Sequence, residues 1–351
     1  MIRRAAIVAL ALVAAMAPLP PRAVERVYST GVYPLIQRSV TPLSNLPPFA
    51  LLDALVIFMS VIWLALAVRD LVFDPRGHTI RAAARVTVRT IVWVSAFYLL
   101  FLIIWGLNYR RVRLAEKVAF DPEAVTTQAA LALAETTLRE VNALFPASRV
   151  ADADSTDRID PVLARSVADA ARVSGSSSIV AARPKRSMLD WYFRRAGVSG
   201  MTDPFFLETL VATDVLPFER PFVTAHEWSH LAGVADEGEA NFVAWLACVH
   251  GSAAHQYSGW LFLFQEIVPS IDARDRAAIV ARLGDGPRAD LRAVRERFQR
   301  NVNVRLSAAG WRAYDSYLKA NRVESGAASY GEVTRLVLGV RFDPNWTPHL
   351  R

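Results

Sequence analysis

Cysteine is almost missing from this sequence of 351 residues: Cys248 stands alone, which rules out an intramolecular disulfide and a cysteine-rich metal cage. It falls in the apolar run of residues 240–249, where a small buried hydrophobe fits better than a reactive thiol. Histidine is scarce too, at six, so any close pair of histidines carries information. The sequence has no internal repeat, no long low-complexity tract and no nucleic-acid-binding motif, which argues against solenoids, disordered scaffolds and readers of DNA or RNA. Acidic side chains number 33 against 40 basic ones, a formal net charge of +7. The excess is arginine scattered beside apolar segments and along helices, a pattern of membrane topology and anionic-lipid contact.

Apolar residues, by contrast, are plentiful. They make up 53% of a chain that also carries 21% charged residues, so the apolar excess must be concentrated somewhere, and it lies in the first 107 residues. Three segments read as transmembrane helices, at about residues 5–19, 49–68 and 90–107. The first follows Arg3 and Arg4, and Ala15-Met16-Ala17 resembles a signal cleavage site, but Pro18 directly after it disfavours cutting and points to an uncleaved anchor. Prolines 18, 20 and 21 end it, and an irregular stretch is expected up to Pro47-Pro48. Asp53, near the start of the second span, is placed at the membrane interface.

Arg69, Arg76, Arg81, Arg85 and Arg89 lie between the second and third spans. They mark that connection as cytoplasmic, and three spans then put the C-terminal part outside. Arg110, Arg111, Arg113 and Lys117 weigh the other way, while a cleaved first segment would give the same orientation. The expected division is a membrane region at 1–107 and an extracytoplasmic domain at 108–351. The lipid bilayer is the one partner this composition specifies.

The C-terminal part opens with helix signals. Asp121-Pro122 and Asp160-Pro161 each offer an N-cap followed by proline at the first helical position, for helices to about residues 145 and 173. Residues 178–182 and 207–213 are short β-prone runs separated by Gly197 and Gly200, so a small sheet or hairpin is expected there. An edge strand in that position would offer backbone pairing to an extended peptide, with a purely structural hairpin as the alternative. Residues 260–268 are strongly apolar and should pack over the neighbouring helices or against the bilayer, and the stretches at 275–283, 288–300 and 308–321 read as amphipathic helices.

The chemistry is concentrated in residues 224–249, above all in His226-Glu227-Trp228-Ser229-His230. On a helix, positions i and i+4 share one face, so both imidazoles can reach one zinc ion while Glu227 stands beside the open coordination position as general base. Pro221 suits the first turn of such a helix and Gly233 its end. A third protein ligand is needed, and Asp236, Glu237 and Glu239 compete for it. Read as HExxHxxGxxD, a metzincin-like pattern, the stretch offers Asp236. Read as HExxH followed by ExxA[D/N], the gluzincin pattern, it offers Glu237 with Asn241 one turn later to orient a histidine or the carboxylate. Asp236 and Glu239 have the spacing of a capping box. If each is occupied in capping, Glu237 is left free to bind the metal.

The sequence resembles a bacterial membrane family catalogued as domain of unknown function 3810. The likeness is carried by Trp105-Gly-Leu-Asn-Tyr109, Ser199-Gly-Met-Thr-Asp-Pro-Phe205, Leu216-Pro217, the HEWSH motif, Glu237-Gly-Glu-Ala-Asn-Phe242, Tyr257-Ser258-Gly259 and Ser329-Tyr330-Gly331, together with the N-terminal spans. That family is similar to gluzincin metallopeptidases. The resemblance implies a mainly α architecture in which three transmembrane helices precede a zincin-like α+β metallopeptidase domain with a small sheet. It also implies His226, His230 and Glu237 as zinc ligands, Glu227 as general base, and a location in the bacterial inner membrane. Asn241 stands where many gluzincins have aspartate, and the gap from His230 to Glu237 is short.

The expected activity is peptide-bond hydrolysis, with a peptide or protein as substrate. Tyr330, Tyr257, His250, His255 and Arg183 are the candidates to steady an oxyanion. Two other classes use the same residues: a zinc hydrolase of a non-peptide envelope amide, and a non-catalytic membrane sensor or scaffold. A structural zinc would ordinarily take a fourth protein ligand, usually cysteine, which weighs against the last.

Overall fold

The computed structural model describes residues 2–72, 79–149, 157–176, 179–321 and 332–351. Its helices are α1 (Ile2–Met16), α2 (Pro21–Val24), α3 (Tyr33–Ser44), α4 (Leu51–Val72), α5 (Thr79–Ile104), α6 (Thr127–Ser148), α7 (Pro161–Ala170), α8 (Asp190–Ala196), α9 (Arg220–Leu231), α10 (Glu237–Val249), α11 (Ala253–Ile267), α12 (Ala273–Ala281), α13 (Asp285–Asn301), α14 (Val304–Ala320) and α15 (Glu332–Gly339). The strands are β1 (Pro184–Lys185), β2 (Gly200–Asp203) and β3 (Glu208–Val211). The chain is mainly helical with one small sheet.

Among the described residues two helices are long and apolar enough to cross a membrane: α4, with mean hydropathy 2.5, and, within α5, Ile80–Ile104, with mean hydropathy 2.0. Both expose large apolar side chains along their length, among them Ile57, Phe58, Val61 and Leu64 on α4 and Ile91, Val94 and Ile103 on α5. The third expected span, at 5–19, is not formed as a single straight crossing. α1 has 15 residues, and at 1.5 Å per residue it rises about 22 Å, short of a hydrocarbon core of about 30 Å. The prolines after it turn the chain by 113° into the segment Pro21–Ser44. α5 begins well before residue 90, so Arg81, Arg85 and Arg89 stand on the helix rather than in a loop. Arg89 pairs with Asp70 of α4 at 2.7 Å; Arg76 lies outside the described residues.

The stretch expected to be irregular before Pro47 is helical. α2, a π-helical stretch Glu25–Val32 and α3 run on without a break. Pro21 sits in the first turn of the run, where the missing N–H costs nothing, whereas Pro34 falls where the π-helical stretch passes into α3 and Pro42 lies inside α3. α3 binds the region ahead of the sheet with its side chains. Gln37 accepts from Val180 N at 3.0 Å and donates to Val180 O at 2.7 Å. Asn45 donates to Ala181 O and accepts from Arg183 N. With Trp228 Nε1 donating to Ala182 O, side chains bind Val180 N and O, Ala181 O, Ala182 O and Arg183 N. No strand forms at 179–182, and Ser178 lies outside the described residues.

In the sheet, whose order is β1-β3-β2, β1 is parallel and β2 antiparallel to β3. A buried ion pair between its strands, Lys185 of β1 with Glu208 of β3, also anchors the start of α4. Glu208 also accepts from Leu52 N at 3.2 Å, and Lys185 donates to Phe49 O at 3.1 Å. Asp53 on the first turn of α4 accepts from Ser187 Oγ and Met188 N. The foot of the span is thereby fixed to the sheet.

Asp121 caps only a 3₁₀ turn, Pro122–Ala124, and a second cap from Thr126 opens α6. Asp160 opens α7 as expected. The core is built from α6, α7, α9, α10 and α11 around the fully buried Trp228, Trp245 and Phe242. The apolar run at 260–268 is buried in that core, which places it against neighbouring helices and away from any bilayer.

Candidate metal centre

α9 carries Pro221 in its first turn and ends just before Gly233, which sits at φ +83°, a conformation that favours glycine. Its last carbonyls are met by side chains from the N-terminal third of the chain. Tyr33 Oη donates to Leu231 O at 2.7 Å, Trp105 Nε1 to His230 O at 2.9 Å and Arg111 Nη1 to Gly233 O at 2.8 Å. These bonds satisfy orphan carbonyls of the helix end and fix the turn that follows.

After the turn Asp236 caps α10, accepting from Gly238 N at 3.0 Å and Glu239 N at 3.2 Å. The reciprocal half of the expected capping box is not made. Glu239 instead accepts from Leu114 N at 2.7 Å, because the chain leaving α5 brings a buried donor within its reach. Asp236 is further held by Arg113 at 3.3 Å. Both carboxylates therefore have structural partners, and Glu237, in the first turn of α10, turns to the histidines.

The convergence is close. His226 Nε2 and His230 Nε2 lie 3.1 Å apart, and Glu237 Oε2 is 3.2 Å from the first and 3.5 Å from the second. Ligand atoms about 2.0–2.1 Å from a tetrahedral zinc are separated by about 3.3 Å, so these residues fit that ion without rearrangement. Glu237 Oε2 is buried and makes no hydrogen bond, although such groups are normally satisfied. His230 Nδ1 lies 2.7 Å from Val234 O; donating there leaves the Nε2 lone pair aimed at the other two ligand atoms. Among the described residues this is the one group of three metal-ligating side chains that close together.

Charge follows the same geometry. Burial alone would raise the Glu237 carboxyl, but the His230 and His226 imidazoles hold it far below the usual carboxylate range. Burial disfavours the His230 imidazolium, and Glu237 more than offsets that, raising the group to about 9. Glu227 is 4% exposed, and desolvation raises its carboxyl despite the nearby imidazoles.

Glu227 is positioned by β2. The Thr202 hydroxyl lies 2.9 Å from Glu227 Oε2 and 2.8 Å from its carbonyl oxygen. A Cβ on Gly200 would stand 2.5 Å from Glu227 Oε1, so only glycine lets the strand approach this closely. β2 is an edge strand of the sheet; the run expected at 207–213 forms the central strand β3, and the edge lies in the segment expected to separate the β-prone runs.

Asn241 is buried but makes no hydrogen bond to either histidine or to Glu237 among the described residues. It borders a neighbouring cavity beside Phe222, Ser258 and Leu261. The group that contacts the ligand carboxylate is the Tyr314 hydroxyl, which donates to Glu237 Oε1. Sequence reasoning missed Tyr314, Thr202 and Trp105. The available signal for the first was an aromatic at every third position of α14, Trp311, Tyr314 and Tyr317.

The expected oxyanion candidates have other roles. Tyr257 donates to Asp290. His255 pairs with Asp160 and completes a capping box with Ser252. His250 bridges Leu246 O and Asn345 O, and Arg183 donates to Pro47 O. Tyr330 lies outside the described residues. Cys248 is fully buried, and desolvation pushes its thiol up.

The centre opens into a cavity of ≈ 710 Å³ whose walls are mainly aromatic: Tyr98, Phe101 and Trp105 on the α5 side, and Trp311, Tyr314 and Tyr317 on α14. Fold and site together describe a mainly helical chain with two helices long and apolar enough to cross a membrane among the described residues, and a His–His–Glu cluster in which His230 and Glu237 are buried. The sequence matches the family described as Protein of unknown function (DUF3810) over residues 28–338, and the chain belongs to that family. No curated protein and no solved structure matches it.

Proposed function

We propose that the chain is a membrane-anchored zinc hydrolase of gluzincin type that cleaves peptide bonds, with His226, His230 and Glu237 as ligands. The observation that carries this reading is the 3.1–3.5 Å convergence of Nε2, Nε2 and Oε2 beside a buried glutamate. Zinc held there supplies a Lewis acid and lowers the pKa of a water molecule toward neutrality.

The chain's own residues do the rest. Glu227, on the same helix and next to His226, accepts the proton of the attacking water and delivers it to the leaving amine. Its raised affinity for a proton, from burial, suits that exchange. Thr202 holds the carboxylate in one place, and Gly200 leaves the room it occupies. Tyr314 fixes Glu237 so that Oε2 keeps its direction. The edge strand β2 beside Glu227 favours a peptide over other amides, because an extended backbone can pair with it. The Arg-rich ends of α4 and α5 favour the cytoplasmic side, which puts the centre on the extracytoplasmic face.

The test is turnover of an unstructured casein-like substrate by the detergent-purified full chain. Glu227→Gln should keep its metal and lose about 10²–10⁴-fold in rate. Activity that survives Glu227→Gln would rule out this mechanism.

A further inference from the structure

One wall of the cavity at the centre is the apolar helix α5. Val94, Phe97, Tyr98, Phe101 and Trp105 line it, at spacings of three, one, three and four that keep them on one face of the apolar span. Val94 stands ten residues before the end of α5 at Ile104, so the cavity reaches about 15 Å down the helix, about half the depth of a hydrocarbon core. Opposite, Phe97 meets Phe205 edge to face at 5.8 Å and Phe101 meets Tyr317 at 6.1 Å. Trp191 is 60% and Trp311 39% exposed on the neighbouring α8 and α14, in keeping with aromatic side chains at a membrane–water boundary.

The same cavity contains a strand edge that has no partner strand among the described residues. Ala212 N donates to Ser199 O, which makes 199:212, and in step 201:210 and 203:208, the hydrogen-bonded pairs with β3. The backbone N–H and C=O of Gly200 and Thr202 therefore face away from β3, and both residues line the cavity. Polar backbone in an apolar cavity is costly unless paired. A lipid tail cannot pair with it; an extended polypeptide can.

We infer that the substrate is a membrane-inserted polypeptide, admitted from the bilayer side along α5, with its apolar side chains in the aromatic cavity and its backbone along the outer edge of β2. This inference rests on the hydrolase reading for its chemistry, but the occupant of the cavity can be tested apart from it.

The full chain in lipid nanodiscs is given two labelled peptides of equal length, a single-span Leu/Ala helix and a water-soluble unstructured peptide. The kcat/KM ratio should favour the inserted peptide. Val94→Trp, which fills the cavity, should lower that ratio about tenfold or more at unchanged zinc content, whereas Val61→Trp on the lipid-facing side of α4 should not change it. In a Glu227→Gln background, benzoylphenylalanine at position 94 should crosslink the inserted peptide. Phe97 substituted the same way is the second site if the first variant does not fold. A ratio favouring the soluble peptide, or crosslinks to lipid acyl chains alone, would overturn the inference. If neither peptide is cleaved, the hydrolase reading fails, and the crosslink still decides what occupies the cavity.

Discussion

The two oxygens of Glu237 have different surroundings. Oε1 accepts from the Tyr314 hydroxyl, whereas Oε2 faces His226 and His230 with no hydrogen bond of its own. A carboxylate fixed through one oxygen presents the other without the rotational freedom that would weaken ligation, and removing such a support typically costs 10–100-fold in metal affinity. Tyr314→Phe keeps the ring in the aromatic wall and deletes only the hydroxyl. It should weaken zinc binding by about that factor in a chelator competition, with the fold unchanged by circular dichroism. An unchanged affinity would make Tyr314 a wall residue alone.

At the scale of elements, the sheet and the first span are joined through Lys185 and Glu208, both almost fully buried. Removing one partner leaves the other charged in an apolar setting, so Lys185→Met or Glu208→Leu alone should destabilise the fold by about 3–5 kcal/mol. The Lys185→Met/Glu208→Leu pair should be milder than the sum of the two singles, as thermal unfolding in detergent would show. The helices around the site were legible because their signals are local: Pro221, Gly233 and the Asp236 cap each act within a few residues. What could not be read depends on distant partners. Residues 179–183 are strand-prone, yet Gln37, Asn45 and Trp228 take their backbone bonds. Tyr314 reaches Glu237 across 77 positions, and nothing near Glu239 in sequence announces Leu114 N as its donor. The prolines of residues 20–48 suggested a break, but Pro21 opens the helical run from its first turn and Pro34 and Pro42 are carried within it.

Across the whole molecule, the N-terminal third is part of the site's support. Tyr33, Trp105 and Arg111 hold the end of α9, so the segments before α4 and after α5 lie on one side of the two spans. Orientation can be read with one thiol, because Cys248 is 0% exposed and should give no background. Ala289→Cys, at an exposed position on α13, should react with a membrane-impermeant maleimide in intact cells; labelling only after permeabilisation would reverse the proposed topology.

Everything proposed for this site depends on the metal, which zinc per chain by mass spectrometry on purified full-length protein measures directly, wild type beside Glu237→Ala and Asp236→Ala. About one zinc is expected in the wild type, retained in Asp236→Ala, whose side chain caps a helix, and largely lost in Glu237→Ala. A wild type that binds no zinc, or zinc lost with Asp236 and kept without Glu237, would contradict the proposal.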